Sequence, residues 1–323
     1  MTLPTFPPGR VDESRAPILV GVASTFIVLE VTIVILRVMS RRIISARLAW
    51  DDIFIFPSLL FCLGLCALGI IETKIAGVGR HLDVLFVYDP AALVHWGKAG
   101  YAIEQLYCIA VVFPKLSILA SYLRIFLDRR YRIITYVLGG VIAATGIAGV
   151  VTSLASCQPF SARYQSPEYA DQHCINTLAY WRWISLPNIL TDVIMLVLPL
   201  PILWGLRMSK KDRVALILIF VTGSIGIVTS VIRFSVFFNV KALATDGTYI
   251  SADLAVWSLV EPGMYLLAAC LPTIRPLVLK VFGRDQRSTG VSDGSTSQKF
   301  ILLELRKDGQ REHRSNEDGI LWD

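Results

Sequence analysis

The sequence contains little charge. Only 17% of its 323 residues are Asp, Glu, Lys or Arg, whereas soluble domains carry about 25%. Hydrophobic residues make up 54% of the chain, and the mean hydropathy is +0.59. This composition excludes a multidomain soluble enzyme, a disordered protein and a receptor with one span and a large ectodomain. It indicates instead several membrane helices, each of about 20 apolar residues.

Histidine and nucleotide-binding motifs are scarce as well. The four histidines (His81, His95, His173 and His313) all lie outside the apolar runs. An intramembrane haem or a buried zinc hydrolase site normally needs such residues. The sequence also has no P-loop, no G-x-S-x-G and no glycine-rich nucleotide motif. We therefore expect a protein without catalytic residues, metal or cofactor.

Seven long apolar runs predict an all-α membrane protein, a bundle of seven transmembrane helices. The runs are continuously apolar rather than alternating, which favours helices over a β-barrel. The predicted spans are Pro17–Ser40, Asp52–Ile71, Ala99–Leu123, Ile133–Ser156, Trp181–Leu206, Val214–Asn239 and Leu254–Leu277.

Lys and Arg are unevenly distributed between the two ends of these spans. Of those near the span ends, fourteen lie after spans one, three, five and seven, and seven lie on the other side. Because cytosolic loops are enriched in Lys and Arg, the N-terminus is predicted to be outside and the C-terminus cytosolic. We expect the net charge of +6 to face the lipid bilayer surface rather than a nucleic acid.

The domain organisation follows from these spans. Residues 1–16 are predicted to form a short extracellular tail without a cleavable signal peptide. Residues 17–282 form the seven-helix domain. Residues 283–323 are polar and rich in serine, which is typical of a disordered cytosolic tail. The plasma membrane is the expected location.

Two of the six cysteines differ from the rest. Cys62, Cys66, Cys108 and Cys270 fall within spans, where a thiol behaves as a small apolar group. Cys157 and Cys174 lie in the predicted outer loop between spans four and five. An oxidising compartment favours a disulfide bond between them.

Ionisable residues within the spans are the candidate functional residues. Such groups are costly in a bilayer and usually pair with one another or face a cavity. The acidic residues Glu30, Glu104, Asp192 and Glu261 can be balanced by Lys115, Arg233 and Arg37. The hypothesis is a ligand-binding site or switch. Its residues are Lys115, Asn188, Asp192, Arg233 and Glu261. The alternative is a network that only fixes helix packing, and the sequence does not separate the two.

Several short motifs, in order, resemble the fungal rhodopsin-domain membrane protein family. The resemblance covers roughly residues 17–280. Its motifs are A-G-V-G-R-H (76–81), K-L-S-I-L-x-x-Y-L-R-I-F (115–126), C-Q-P-F (157–160) with Cys174, N-I-L-T-D (188–192), L-P-L-P-I-L-W-x-L-x-M (198–208), Gly223 with S-V-I-R (230–233), D-G-T-Y (246–249), W-S-L-V-E (257–261) and C-L-P-T-I-R-P (270–276).

The resemblance implies a seven-helix, receptor-like protein. Retinal is not expected, because it needs a Schiff-base lysine and span seven has none between Leu254 and Leu277. The leading hypothesis is an orphan receptor or sensor for a small-molecule or surface cue, with a cytosolic signalling protein as its partner. One alternative is a transporter or accessory membrane protein of a fungal secondary-metabolite pathway. A further alternative is a scaffold whose polar network is functionally silent.

Overall fold

The computed structural model describes residues 6–7, 9–43, 50–126, 128–159, 161–162, 167–201, 210–238 and 245–282. The predicted tail 283–323 and the end of predicted span five therefore lie outside the described residues. The described part is helical, and it contains no β-strand apart from a single bridge between Cys157 and Cys174. Its helices are α1 (Ala16–Ile43), α2 (Trp50–Ile75), α3 (Leu82–Tyr88), α4 (Pro90–Ile125), α5 (Arg129–Leu154), α6 (Pro167–His173), α7 (Thr177–Val197), α8 (Lys210–Val236) and α9 (Gly247–Phe282).

Each predicted span overlaps a helix among the described residues, but its bounds differ from those of the helix. Within the described residues, five helices are long and apolar enough to cross a membrane: α1, α2, α4, α5 and α9. Helix α7 carries Arg182, Asn188 and Asp192 and is not among these five. Among the described side chains of α8, Phe220–Val236 form a shorter apolar stretch. The chain is thus an all-helical, multi-pass membrane protein.

Small side chains allow the helices to approach closely, as in other membrane bundles. Ala23, Cys66, Ala110 and Ala255 share one buried cluster that joins α1, α2, α4 and α9. Helix α4 packs extensively against both α2 and α5. Many large apolar side chains point outward instead, for example Ile147 on α5 at 66% exposure. Such a surface suits contact with lipid tails.

One end of the bundle, which we call the N-terminal face, contains the beginning of α1. There the A-G-V-G-R-H and D-G-T-Y motifs meet. Gly79 adopts φ +95°, and a Cβ at this position would lie 2.5 Å from the backbone nitrogen of Ala16. The Gly79 amide donates to Thr248 O at 3.0 Å, and its carbonyl accepts from Arg15 N at 2.9 Å. The motif thus ties α1 to the beginning of α9.

A set of charged side chains covers the same face. The buried ring of His81 contacts the Asp246 carboxylate on one side and Glu13 Oε2, at 3.3 Å, on the other. The Tyr249 hydroxyl donates to Glu13 Oε1 at 2.8 Å. The hydrogen bonds from Tyr249 and His81 lower the pKa of Glu13 below its ordinary value. These contacts hold the N-terminal segment on the bundle.

The predicted disulfide is confirmed. Cys157 and Cys174 are bonded, with their Cα atoms 4.0 Å apart. The bond connects the segment after α5 to the segment before α7. The other four cysteines are free and buried.

Candidate functional site

The structure brings all five predicted site residues together between α4, α7, α8 and α9. We call this group, with the hydroxyl groups that join it, the central network. Lys115 on α4 is 1% exposed, and its Nζ lies 2.6 Å from Asp192 Oδ1 on α7. The same ammonium donates to Asn188 Oδ1 at 2.7 Å. Asn188 and Asp192 share one face of α7 because they are four residues apart.

Glu261 on α9 is the most highly connected carboxylate of the central network. It is fully buried. Its Oε1 accepts from Asn188 Nδ2 at 2.7 Å and from Ser230 Oγ at 2.6 Å. Its Oε2 accepts from Arg233 Nε at 3.0 Å and from the Tyr107 hydroxyl at 2.8 Å. One carboxylate thereby connects α4, α7, α8 and α9.

The charges of the central network balance. Lys115 pairs with Asp192, and Arg233 pairs with Glu261. The Arg233 guanidinium also lies over the Tyr107 ring, 4.2 Å from its centroid. Pairing of this kind is what makes four buried charges tolerable in a bilayer.

Two hydroxyl groups of the network each face both carboxylates. Ser230 Oγ lies 2.6 Å from Glu261 Oε1 and 3.2 Å from Asp192 Oδ2. The Tyr265 hydroxyl lies 2.6 Å from Asp192 Oδ2 and 3.3 Å from Glu261 Oε1. A Cβ at Gly226 would lie 2.6 Å from the Tyr265 ring, so glycine allows this approach. Because each hydroxyl carries one proton, it donates to one carboxylate at a time. The network thus has more than one hydrogen-bonding arrangement.

A cavity of about 380 Å³ lies between the central network and the N-terminal face. Arg233, Tyr107 and Trp181 form part of its wall and also contact one another. Lys115, Asn188 and Asp192 do not line it. They lie deeper, and a smaller cavity of about 40 Å³ borders Lys115 and Asn188. The larger cavity is lined by residues 72, 96, 97, 100, 101, 103, 104, 107, 177, 181, 233, 237, 251, 254, 255 and 258.

The sequence did not single out several residues of this cavity. Glu72 lies in α2, one residue beyond the predicted end of span two, so a search for ionisable groups within the spans does not include it. Trp96 was missed because α4 begins at Pro90, nine residues before the predicted span. Trp181 and Phe237 carry no charge, so a search for ionisable groups passes over them. Helix bounds extended by one turn would have placed Glu72 within span two, where a search for ionisable groups finds it.

Arg37 and Glu30, two further ionisable residues of the predicted spans, lie outside the central network. Arg37 binds Asp51 and Asp52, at the beginning of α2, through Nη2 at 2.6 Å and Nε at 3.1 Å. The possible balance between Arg37 and the four buried acids is therefore not observed. Glu30 is fully buried, and neither carboxylate oxygen has a hydrogen-bond partner among the described residues.

Comparison with known proteins agrees with this fold. The fungal rhodopsin domain matches residues 36–280, about three quarters of the chain. The chain belongs to this family. No solved structure matches the chain significantly.

The curated relatives of this chain include a biosynthetic gene cluster protein, a receptor and a membrane protein. The polyenoic acids biosynthesis gene cluster protein Ba17b of Metarhizium anisopliae is 36% identical over 80% of this chain and 72% of its own length. The receptor GIN3 of Arthrobotrys oligospora is 23% identical over 91% of this chain and 71% of its own length. A SAT4 family membrane protein of Emericella nidulans is 29% identical, and the chain spans about half of its length (53%).

The residues of this family member do not fit a retinal group. The Nζ of Lys115 is engaged by Asp192 and Asn188. The cavity beside it, about 40 Å³, is close to the volume of one water molecule. Between Gly247 and Arg275, α9 has no lysine. The family name therefore does not imply a photoreceptor here.

Proposed function

We propose that the chain is a receptor-like membrane protein that binds a small molecule in the 380 Å³ cavity and relays its presence through the central network. It has seven spans, with the N-terminal face outside the plasma membrane and the C-terminus in the cytosol, and it catalyses no reaction. The distribution of Lys and Arg supports this orientation. The similarity to the receptor GIN3 supports the class.

One observation carries the proposal. Arg233 and Tyr107 line the cavity and also bind Glu261 directly. A molecule in the cavity therefore touches side chains that belong to the central network. If it binds one arrangement of the network more tightly than the other, it shifts the population of the bundle. Such a shift would alter the opposite face, where a signalling protein would bind.

The test introduces a larger side chain at a residue that lines the cavity but does not belong to the central network. Gly100 lines the cavity, and a Cβ at this position would meet nothing within 4 Å. Gly140 on α5 is equally open but lines neither cavity described above. Gly140→Leu is thus a matched control for Gly100→Leu. In the source fungus, both variants and a deletion are compared for transcriptional responses to surface and chemical cues.

The expected result is a cue response that is lost in the deletion and in Gly100→Leu but kept in Gly140→Leu. A response that is lost in the deletion yet unchanged in Gly100→Leu would contradict the proposal. Recovery of a signalling protein with the cue-treated chain in native detergent would add support.

A second candidate function is a transporter or accessory protein of a metabolite pathway. The similarity to Ba17b, whose name refers to a biosynthetic gene cluster, favours it. The acids of the central network would then act in proton or substrate movement. Uptake or export of a pathway metabolite by vesicles, dependent on Asp192 or Glu261, would support this candidate over the receptor.

A further inference from the structure

The wall of the 380 Å³ cavity contains a buried carboxylate. Glu72 on α2 is 3% exposed, and its Oε1 has no hydrogen-bond partner among the described residues. Buried polar atoms in native proteins are nearly always hydrogen-bonded, so an exception calls for an explanation. A carboxylate accepts hydrogen bonds and attracts positive charge. Glu72 therefore favours a ligand that brings a cationic donor.

Aromatic rings form much of the remaining wall. The five aromatic residues come from α4, from α7 and from the turn after α8, and Trp181 stacks on Phe237 with ring centroids 5.8 Å apart. The faces of such rings attract ammonium groups, and quaternary ammonium ligands are commonly held in aromatic cages. The aromatic lining consists of Trp96, Tyr101, Tyr107, Trp181 and Phe237.

Arg233, the cation already present in the wall, does not reverse the preference of the cavity for a cationic ligand. Arg233 donates to Glu261 through Nε and to the Tyr107 hydroxyl through Nη2. Its charge is thereby balanced within the central network. Glu104, the second acid of the wall, accepts a hydrogen bond from Ser153 Oγ at 2.5 Å. The cavity thus offers an unpartnered acceptor and aromatic faces, and its cation is already paired.

We propose that the ligand is a small organic cation, a protonated amine with an apolar body. Its ammonium group lies at Glu72, and its apolar body packs against the Trp and Tyr rings. The volume of about 380 Å³ falls within the range of known small-molecule pockets. This inference rests on the proposed function, because it names the ligand class of the same cavity.

The test uses the full chain in lipid nanodiscs and two probes of one shape. Benzylammonium carries the cation with its N–H donors, and ethylbenzene replaces its nitrogen by carbon. Binding is measured by calorimetry and by tryptophan fluorescence, with empty nanodiscs to subtract partition into lipid. The expected result is binding of the cation and not of its neutral isostere. Glu72→Gln should weaken cation binding about tenfold or more.

Glu30→Gln is the matched control, because Glu30 is also a buried carboxyl without a described partner but lines neither cavity described above. It should leave cation binding unchanged. If Glu72→Gln does not fold, Gly100→Leu provides the second variant and should block binding. Equal binding of both probes, no binding of the cation, or undiminished binding by Glu72→Gln would overturn the inference.

The same variants separate this inference from the proposed function. If Gly100→Leu abolishes the cue response but the cation does not bind, the receptor proposal stands and the ligand class is wrong. If the cation binds through Glu72 but Gly100→Leu keeps the cue response, the cavity binds cations and the receptor proposal fails.

Discussion

The bundle contains two groups of buried charges that are built differently. The central network joins α4, α7, α8 and α9, and two of its hydroxyl groups, those of Ser230 and Tyr265, each face two carboxylates. The second group, which we call the terminal cluster, consists of Arg37, Arg41, Asp51 and Asp52. Arg37 also donates to the carbonyl of Ala269 on α9 at 2.6 Å. In the terminal cluster, the guanidinium groups of both arginines contact both aspartates.

This difference indicates different roles. A guanidinium is a rigid fork of donors, so the terminal cluster holds α1, α2 and α9 in one geometry. The central network can exchange hydrogen bonds between Asp192 and Glu261 through Ser230 and Tyr265. A cluster that only stabilises the fold should keep one arrangement, whereas a switch should have two states of similar free energy. The following variants test this contrast.

The largest effect is expected for Glu261→Ala. The substitution leaves Arg233 buried without its carboxylate and removes acceptors from Asn188, Ser230 and Tyr107. We expect the free energy of unfolding to fall by about 3–5 kcal/mol. Unfolding in mixed detergent measures it. Adding Arg233→Met to the same chain should recover part of the loss, and a loss below about 1 kcal/mol would show that the network is not stabilising.

Lys115→Met should have the next largest effect. It leaves Asp192 with only neutral donors, Tyr265 and Ser230. The expected loss is about 3 kcal/mol, measured in the same way. Asp192→Asn in the same chain removes the unpaired charge and should restore much of it. Strict additivity of the two substitutions in a double-mutant cycle would contradict the pairing.

Arg37→Met tests the terminal cluster and should cost less, about 1–2 kcal/mol. Arg41 remains in contact with both Asp51 and Asp52, so neither carboxylate loses its last cation. Comparison with Arg41→Met gives the share of each arginine. A larger loss than that of Glu261→Ala would reverse the ranking of the two groups.

The smallest effect is expected for Glu13→Gln on the N-terminal face. The folded-state pKa of Glu13 lies below its ordinary value of 4.5, so its contribution to stability is present above that pH. It is lost as the pH falls through the folded-state pKa. The melting temperature of the parent should therefore drop slightly more on acidification than that of Glu13→Gln. Parallel pH profiles would show that Glu13 contributes nothing.

Much of the fold could be predicted from the sequence. Apolar runs locate helices because a backbone in lipid must satisfy its own hydrogen bonds. The proximity of the five predicted residues could also be expected, since buried charges in a bilayer usually pair with one another. The cavity could not, because its volume depends on how the helices that line it are arranged in three dimensions. Glu72 and Trp96 lie in the helical turns that extend beyond the apolar runs, and hydropathy does not mark such turns.

The most direct test of the switch is a distance measured between α4 and α7 at the face opposite the N-terminal face. Spin labels are placed at Arg124→Cys and Val197→Cys, both exposed, while the four native thiols are buried. Asp192→Asn should add a second distance population in nanodiscs. Arg37→Met should keep the single distance of the parent, although it lowers stability. One unchanged distance in both variants would show that the central network, like the terminal cluster, only stabilises the fold.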